Sequence, residues 1–178
     1  KQELHRLAKL NALDPAAQWV TKERKPVEEL YDTEKDPYEI HNLAEDPDYR
    51  DTLLRLRAVH EEWMRETRDL GLFPEPELVR LADEYGSRYA ILPSMLREEP
   101  GFYDTLLATA TLAGRPAAND ETALRDALAS PHPSIRYWAV TGLGNLPDPG
   151  DTAVKALNNA VKDASPTVRV AAAHALFR

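Results

Sequence analysis

A proline recurs every 33 residues in the second half of this chain, at Pro100, Pro133 and Pro166. The apolar positions that follow keep the same register: Phe102, Ile135 and Val168; Leu106, Ala139 and Ala172; Ala110, Leu143 and Leu176. Arg136 and Arg169 coincide as well. Upstream, Leu124 matches Leu157, Ala127 matches Ala160 and Leu128 matches Val161. A fixed period of this length makes each copy one supersecondary unit, too small to bury its own apolar face, so neighbouring copies must stack. The alanine- and leucine-rich spacing between prolines makes that unit a pair of helices. The expected fold is mostly α, an α-solenoid of about three helix pairs. Residues 120–129 and 134–146 form the second pair, and residues 151–162 and 167–177 the third. The first copy is less regular, with Pro93 inside its first helix region, as terminal repeats commonly are.

The first half reads differently. Leu4, Leu7 and Leu10 recur every three residues and predict a helix over 2–13, ended by Asp14-Pro15. Trp19 and Val20 suggest a short strand. Val27–Asp32 is the best strand candidate, with Pro26 at a tolerated first position. Asp36-Pro37 and Asp46-Pro47 mark turns. Asp46 then suits an N-cap and Pro47 a first helical residue. Tyr49, Leu53, Leu56, His60, Trp63, Thr67 and Leu70 fall alternately four and three apart, one face of a long helix. Gly71 is the expected stop. Phe73-Pro74-Glu75-Pro76 reads as a linker. Two regions follow from this: residues 1–75, a small α+β segment ending in the long helix, and residues 76–178, the repeats.

Charge excludes some functions. Residues 28–48 carry nine acids and a single base, Lys35, which accounts for the whole net charge of −8. Such a segment repels polyanions, so nucleic acid is not an expected partner. No stretch approaches the roughly 20 apolar residues of a membrane span. The chain has no cysteine, which removes disulfides, thiolate metal sites and cysteine nucleophiles. It opens in helical sequence without methionine, which points to a start internal to a longer protein.

Two resemblances bear on function. Pro-x-Val/Ile-Arg opening an alanine-rich helix is similar to the HEAT-repeat family in its shorter variety, over about residues 85–178. The stretch Pro26-Val27-Glu28-Glu29-Leu30-Tyr31-Asp32, continuing through Asp36-Pro37-Tyr38-Glu39 to Asn42-Leu43-Ala44, resembles the C-terminal end of the sulfatase family. Lys9-Leu10-Asn11-Ala12 and Ala17-Gln18-Trp19 are similar to a subgroup that includes heparan N-sulfatases and bacterial relatives. The resemblance implies that residues 1–75 complete the small C-terminal sheet of a sulfatase, with the long helix packing back on its body. It implies a parent enzyme, periplasmic or extracellular, that uses calcium and a formylglycine made in a Cys/Ser-x-Pro-x-Arg context.

That context is absent from the chain. Ser130-Pro131-His132-Pro133-Ser134-Ile135-Arg136 echoes it, but neither serine is followed by x-Pro-x-Arg, and the stretch serves as an inter-helix turn and N-cap. The histidines His5, His41, His60, His132 and His174 show no metal-ligand spacing; His60 reads as a core residue of the long helix. Asp32, Glu34 and Asp36 alternate as calcium loops do, without the glycine and closing glutamate of such loops. Trp63 and Trp138 lie on apolar helix faces. Gly142-Leu143-Gly144 lacks the strand–helix context of a nucleotide loop. No catalytic, cofactor-binding or metal residue is therefore assigned, and no cofactor is expected in this segment. The leading expectation is a non-catalytic C-terminal region of a sulfatase whose repeats contact protein, either the parent's catalytic domain or a second copy. The alternative is a stand-alone interaction module of HEAT type with no enzymatic parent.

Overall fold

The computed structural model describes residues 2–22 and 25–177. The chain divides into two compact units, Lys1–Glu61 and Glu62–Arg178. Among the described residues no strand is formed.

The first unit begins with α1 (Gln2–Lys9) and α2 (Pro15–Thr21). Trp19 and Val20 therefore belong to a helix. The Asp14 carboxylate accepts the Ala17 amide at 2.7 Å, and Pro15 starts the helix behind it. This start signal outweighs two β-prone residues. The segment expected as a strand, Val27–Asp32, is extended but unpaired. Apart from the turn bonds of the Lys35 and Asp36 amides to the Asp32 carbonyl, one backbone bond joins it to another segment, from the Leu43 amide to the Leu30 carbonyl at 2.8 Å. The Leu30 amide goes instead to the Asn42 side chain at 2.9 Å. A strand needs a repeating ladder, and one bond does not make one. Further on, Asp46 accepts the Asp48 amide at 2.9 Å and Pro47 opens a single 3-10 turn, as expected. The turn leads into α3 (Arg50–Thr67). Among the described residues of this unit, only Ala44 is buried.

Helix α3 departs from the expected pattern in two ways. It stops at Arg68, which takes a left-handed φ of 56°, and not at Gly71; the Asp69 amide closes on the Met64 carbonyl at 2.9 Å. Its periodic face is also only partly buried, with Tyr49, Leu53 and Leu70 half-buried. Leu56 and Trp63 of that face are exposed, Trp63 by 52 %, and His60 is exposed as well. Met64, which lies beside that face, is the buried residue of α3.

The second unit contains α4 (Glu75–Tyr85), α5 (Arg88–Glu98), α6 (Phe102–Gly114), α7 (Glu121–Ala127), α8 (Pro133–Asn145), α9 (Asp151–Ala160) and α10 (Pro166–Phe177). Phe73–Pro76 is no linker. Phe73 is buried, its ring 5.8 Å from that of Phe102. Pro74 precedes α4 and Pro76 sits in its first turn, where a missing amide costs nothing. The helix pairs are α5 with α6, α7 with α8 and α9 with α10, and the second helices α6, α8 and α10 pack side by side with α8 in the middle. Pro93 lies within α5.

The register predicts burial. Phe102, Ile135 and Val168 are all buried, as are Leu106, Ala139 and Ala172. Helix α8 is lined by core on two sides: Ile135 joins the cluster of Phe102 and Leu106, while Val140 and Leu143 join that of Leu157, Val168 and Ala172. Two glycines permit this. A Cβ on Gly142 would fall 2.5 Å from Leu124 and 3.0 Å from the Ala113 Cα, and one on Gly144 2.6 Å from the Ala175 Cβ. Gly142-Leu143-Gly144 is thus a packing device that lets α8 approach both neighbours.

Candidate functional site

The ionic groups of the repeats are organised by the same period. Arg136, at the start of α8, donates through Nε and Nη2 to the two oxygens of Asp163, both at 2.8 Å. Its Nη1 donates to the carbonyls of Ser130 at 2.9 Å and Pro131 at 3.0 Å. One guanidinium therefore ties the turn of its own pair to the turn of the next. The two side chains are only 13 % and 14 % exposed. The Arg136 guanidinium holds the Asp163 carboxyl below the usual carboxylate range, burial opposes this, and the Ser165 amide, 2.7 Å from Oδ1, assists it. Arg169 repeats half of the arrangement, with Nη1 donating to the carbonyls of Asp163 and Ala164 at 2.8 and 2.9 Å.

The positions immediately before the three prolines, Glu99, His132 and Ser165, also make long-range contacts. His132 Nε2 lies 2.8 Å from a Glu99 oxygen, and its ring stands edge-on to Phe102 at 4.6 Å. Ser165 Oγ donates to Glu77 at 2.7 Å, and Arg80 donates to the other Glu77 oxygen at 2.9 Å. This buried bond pins α4 to the turn of the third pair. Trp138 donates its indole N–H to the Leu72 carbonyl at 2.7 Å, so it serves the core. An open groove of about 680 Å³ lies along α8 and α10, lined by Tyr137, Thr141, Val170 and His174, with Pro74 and Pro76 also on its wall. Its walls are mainly carbon.

The turn-rich segment of the first unit is held by its own acids and amides. The Asn42 side chain bonds the amides of Leu30 and Ala44 and the carbonyl of Glu28, the backbone role its place in a turn predicts. One Asp36 oxygen accepts the amides of Ile40 and His41 at 2.8 and 2.7 Å. Asp32 takes Lys35 at 2.7 Å, and that bond lowers the Asp32 carboxyl below its usual range. Glu28 receives a two-pronged contact from Arg57 of α3. Ile40 is exposed. Among the described residues no group of His, Cys, Asp and Glu is placed to hold a metal ion, and no helix is long and apolar enough to cross a membrane. Ser130 lies in the inter-helix turn as expected and accepts the His132 amide at 3.2 Å; the N-cap of α8 is His132 itself, with no side-chain cap bond.

The roles of Glu77 and Asp163 are not legible from motif reading. For Asp163 a signal exists: it stands at the repeat position of Ser130, two residues before the position of His132 and Ser165, where a short polar side chain caps a turn. For Glu77 no signal exists, because its partner lies 88 residues away.

Comparisons with known proteins agree with this architecture. Residues 121–178 match the family model of HEAT repeats. Two ulvan-active sulfatases of Formosa agariphila are similar to parts of the chain. One is 41% identical over 81 residues, 44% of this chain and 13% of the relative. The other is 44% identical over 46 residues, 26% of this chain and 9% of the relative. The matched stretches are thus a small part of either relative's length. No solved structure matches. The chain joins a sulfatase-related region to HEAT-type repeats.

Proposed function

We propose that this chain is the non-catalytic C-terminal region of a sulfatase, with residues 1–75 completing the enzyme's body and residues 76–178 forming a HEAT-like domain that makes protein contacts. The observation that carries the reading is the similarity to the ulvan-active sulfatases. Two physical features support it. The first unit has almost no core of its own, although segments of its size need buried apolar area to fold. Helix α3 leaves Leu54, Leu56 and Val59 exposed, and apolar side chains grouped in that way mark a surface that another body covers. The unpaired extended segment around Leu30 fits an edge strand whose partner belongs to the rest of the enzyme.

The parent hydrolyses sulfate esters or N-sulfates, with a formylglycine nucleophile and a calcium ion supplied by its catalytic region. Ulvan, carried in the relatives' name, is the first substrate to test. The parent works in the periplasm or outside the cell. The test assays the purified 178-residue chain and the full product of its reading frame, side by side, on ulvan, aryl sulfates and N-sulfated sugars with and without calcium. The full product releases sulfate and carries Cys/Ser-x-Pro-x-Arg upstream, while the short chain is inert. Turnover by the short chain, or a reading frame without that motif, overturns the proposal.

A further inference from the structure

In a helical-repeat array each pair touches only its neighbours, so a direct tie between the first and third pairs is foreign to the architecture. This chain has one, made by a segment outside the 33-residue period. The segment is Leu72–Arg80, and it runs against all three pairs. Phe73 is buried, with its ring 5.8 Å from Phe102 of α6 in the first pair. The Leu72 carbonyl accepts the indole N–H of Trp138, on α8 in the second pair, at 2.7 Å. Glu77, only 3 % exposed, accepts the hydroxyl of Ser165, at the start of the third pair's α10, at 2.7 Å and across 88 residues of chain. Ser165 departs here from its register equivalents, since Glu99 and His132 contact each other along the array. The segment is stiff and well anchored. Pro74 and Pro76 fix φ at two of its positions, and Leu78 and Leu81 seat α4 in one core with Ile91, Leu92 and Phe102.

The tie stands at the edge of the groove along α8 and α10. Pro76 and Pro166, each next in sequence to a tie residue, are both on the groove wall, as are Pro74 and Thr167. A carboxylate buried as deeply as Glu77 is stable only while its oxygens are met. Ser165 meets one, and Arg80 donates to the other at 2.9 Å. Once Ser165 lets go, the carboxylate gains by reaching water, so the tie has a closed and an open state rather than a continuum. We propose that Leu72–Arg80 is a strap across the three helix pairs, fastened by the Glu77–Ser165 bond, and that unfastening it opens the groove along α8 and α10. Fastened, the strap holds Pro74 and Pro76 against the third pair. Unfastened, the first turn of α4 and the third pair move apart. The strap also makes the three pairs open together, where an unstrapped array opens pair by pair. The inference rests on the repeats and the strap alone and does not depend on the sulfatase reading.

The chain has no cysteine, so spin labels at Pro76→Cys and Val170→Cys, two exposed groove-lining positions on α4 and α10, report the width of the groove. The expected distance distribution is single and narrow, and adding Ser165→Ala broadens it toward longer distances. Hydrogen exchange on the 178-residue chain is the second readout. Ser165→Ala speeds exchange of the α4 and α10 amides by about tenfold or more, as loss of a buried hydrogen bond to a charged group does, and leaves the α6 amides little changed. Glu77→Ala has the same effect, and Ser165→Ala added to it changes nothing further. Where circular dichroism shows that Glu77→Ala does not fold, Glu77→Met, apolar and of similar length, takes its place. A distribution that is already broad in the parent, or that Ser165→Ala leaves unchanged, overturns the proposal. Exchange that speeds equally in every helix overturns it too, because the bond is then one stabilising contact among many. So does a Ser165→Ala effect that persists in full beside the Glu77 substitution, because the hydroxyl then acts only on α10.

Discussion

Arg136→Ala removes the guanidinium that joins the second helix pair to the third. The structure sets the size of the effect. Arg136 and Asp163 are both about six-sevenths buried, from side-chain exposures of 13 % and 14 %. Truncating one member of a buried pair leaves the other charge without its partner, which costs about 3–5 kcal/mol. The carbonyls of Ser130 and Pro131 also lose their donor; both are near enough to the surface for water to replace much of that loss. Against this, Asp163 keeps the Ser165 amide. The expected cost is about 3 kcal/mol, a fall in Tm of roughly 10 °C for a unit of this size. Urea unfolding followed by circular dichroism measures it, and a double-mutant cycle with Asp163→Ala isolates the pair, with an expected coupling above about 1.5 kcal/mol. Arg136→Lys recovers little, because an ammonium cannot make the parallel contacts. A loss below about 1 kcal/mol, or no coupling, would refute the account of this arginine as the inter-repeat tie.

Other outcomes follow from the same geometry. Leu143→Asp places an unpaired carboxylate in a fully buried site, at a cost of several kcal/mol, comparable with the stability of a small domain; an unchanged Tm counts against the repeat register. Gly144→Ala drives a methyl into Ala175 and costs about 1–3 kcal/mol by overpacking, readable as a shifted urea midpoint with an unchanged slope. The depressed Asp163 carboxyl gives stability that is complete above the ordinary carboxylate pKa and disappears as pH falls through the lower folded value; Asp163→Asn is therefore less stable than the parent at pH 7, with a gap that narrows on acidification, and a constant gap contradicts the assignment. Heparin at low salt is expected to leave the chain unbound, since its net charge is −8; salt-sensitive binding by a monomer would overturn that expectation.

The sequence by itself determined the repeats, because they are periodic. Two buried positions are announced three times, at Phe102, Ile135 and Val168 and at Leu106, Ala139 and Ala172, and the helix starts at Pro133 and Pro166 are written in residues that accept one backbone geometry; the third triple is buried at Ala110 and Leu143 and exposed at Leu176. It also determined the Asp46-Pro47 helix entry, whose bonds span two residues. Whatever depended on a distant partner was decided by the tertiary structure. Phe73–Pro76 carries linker chemistry, yet Phe73 is core because the Phe102 ring stands beside it. Glu77 looks like a solvated helix acid, yet it is buried because Ser165 and Arg80 satisfy its oxygens. Leu30 and Tyr31 have strand propensity, yet propensity makes no ladder without a neighbouring strand to share it. His60 and Trp63 hold the helical period of a buried face and are exposed, since periodicity states which side of a helix seeks cover and only packing decides whether cover is there.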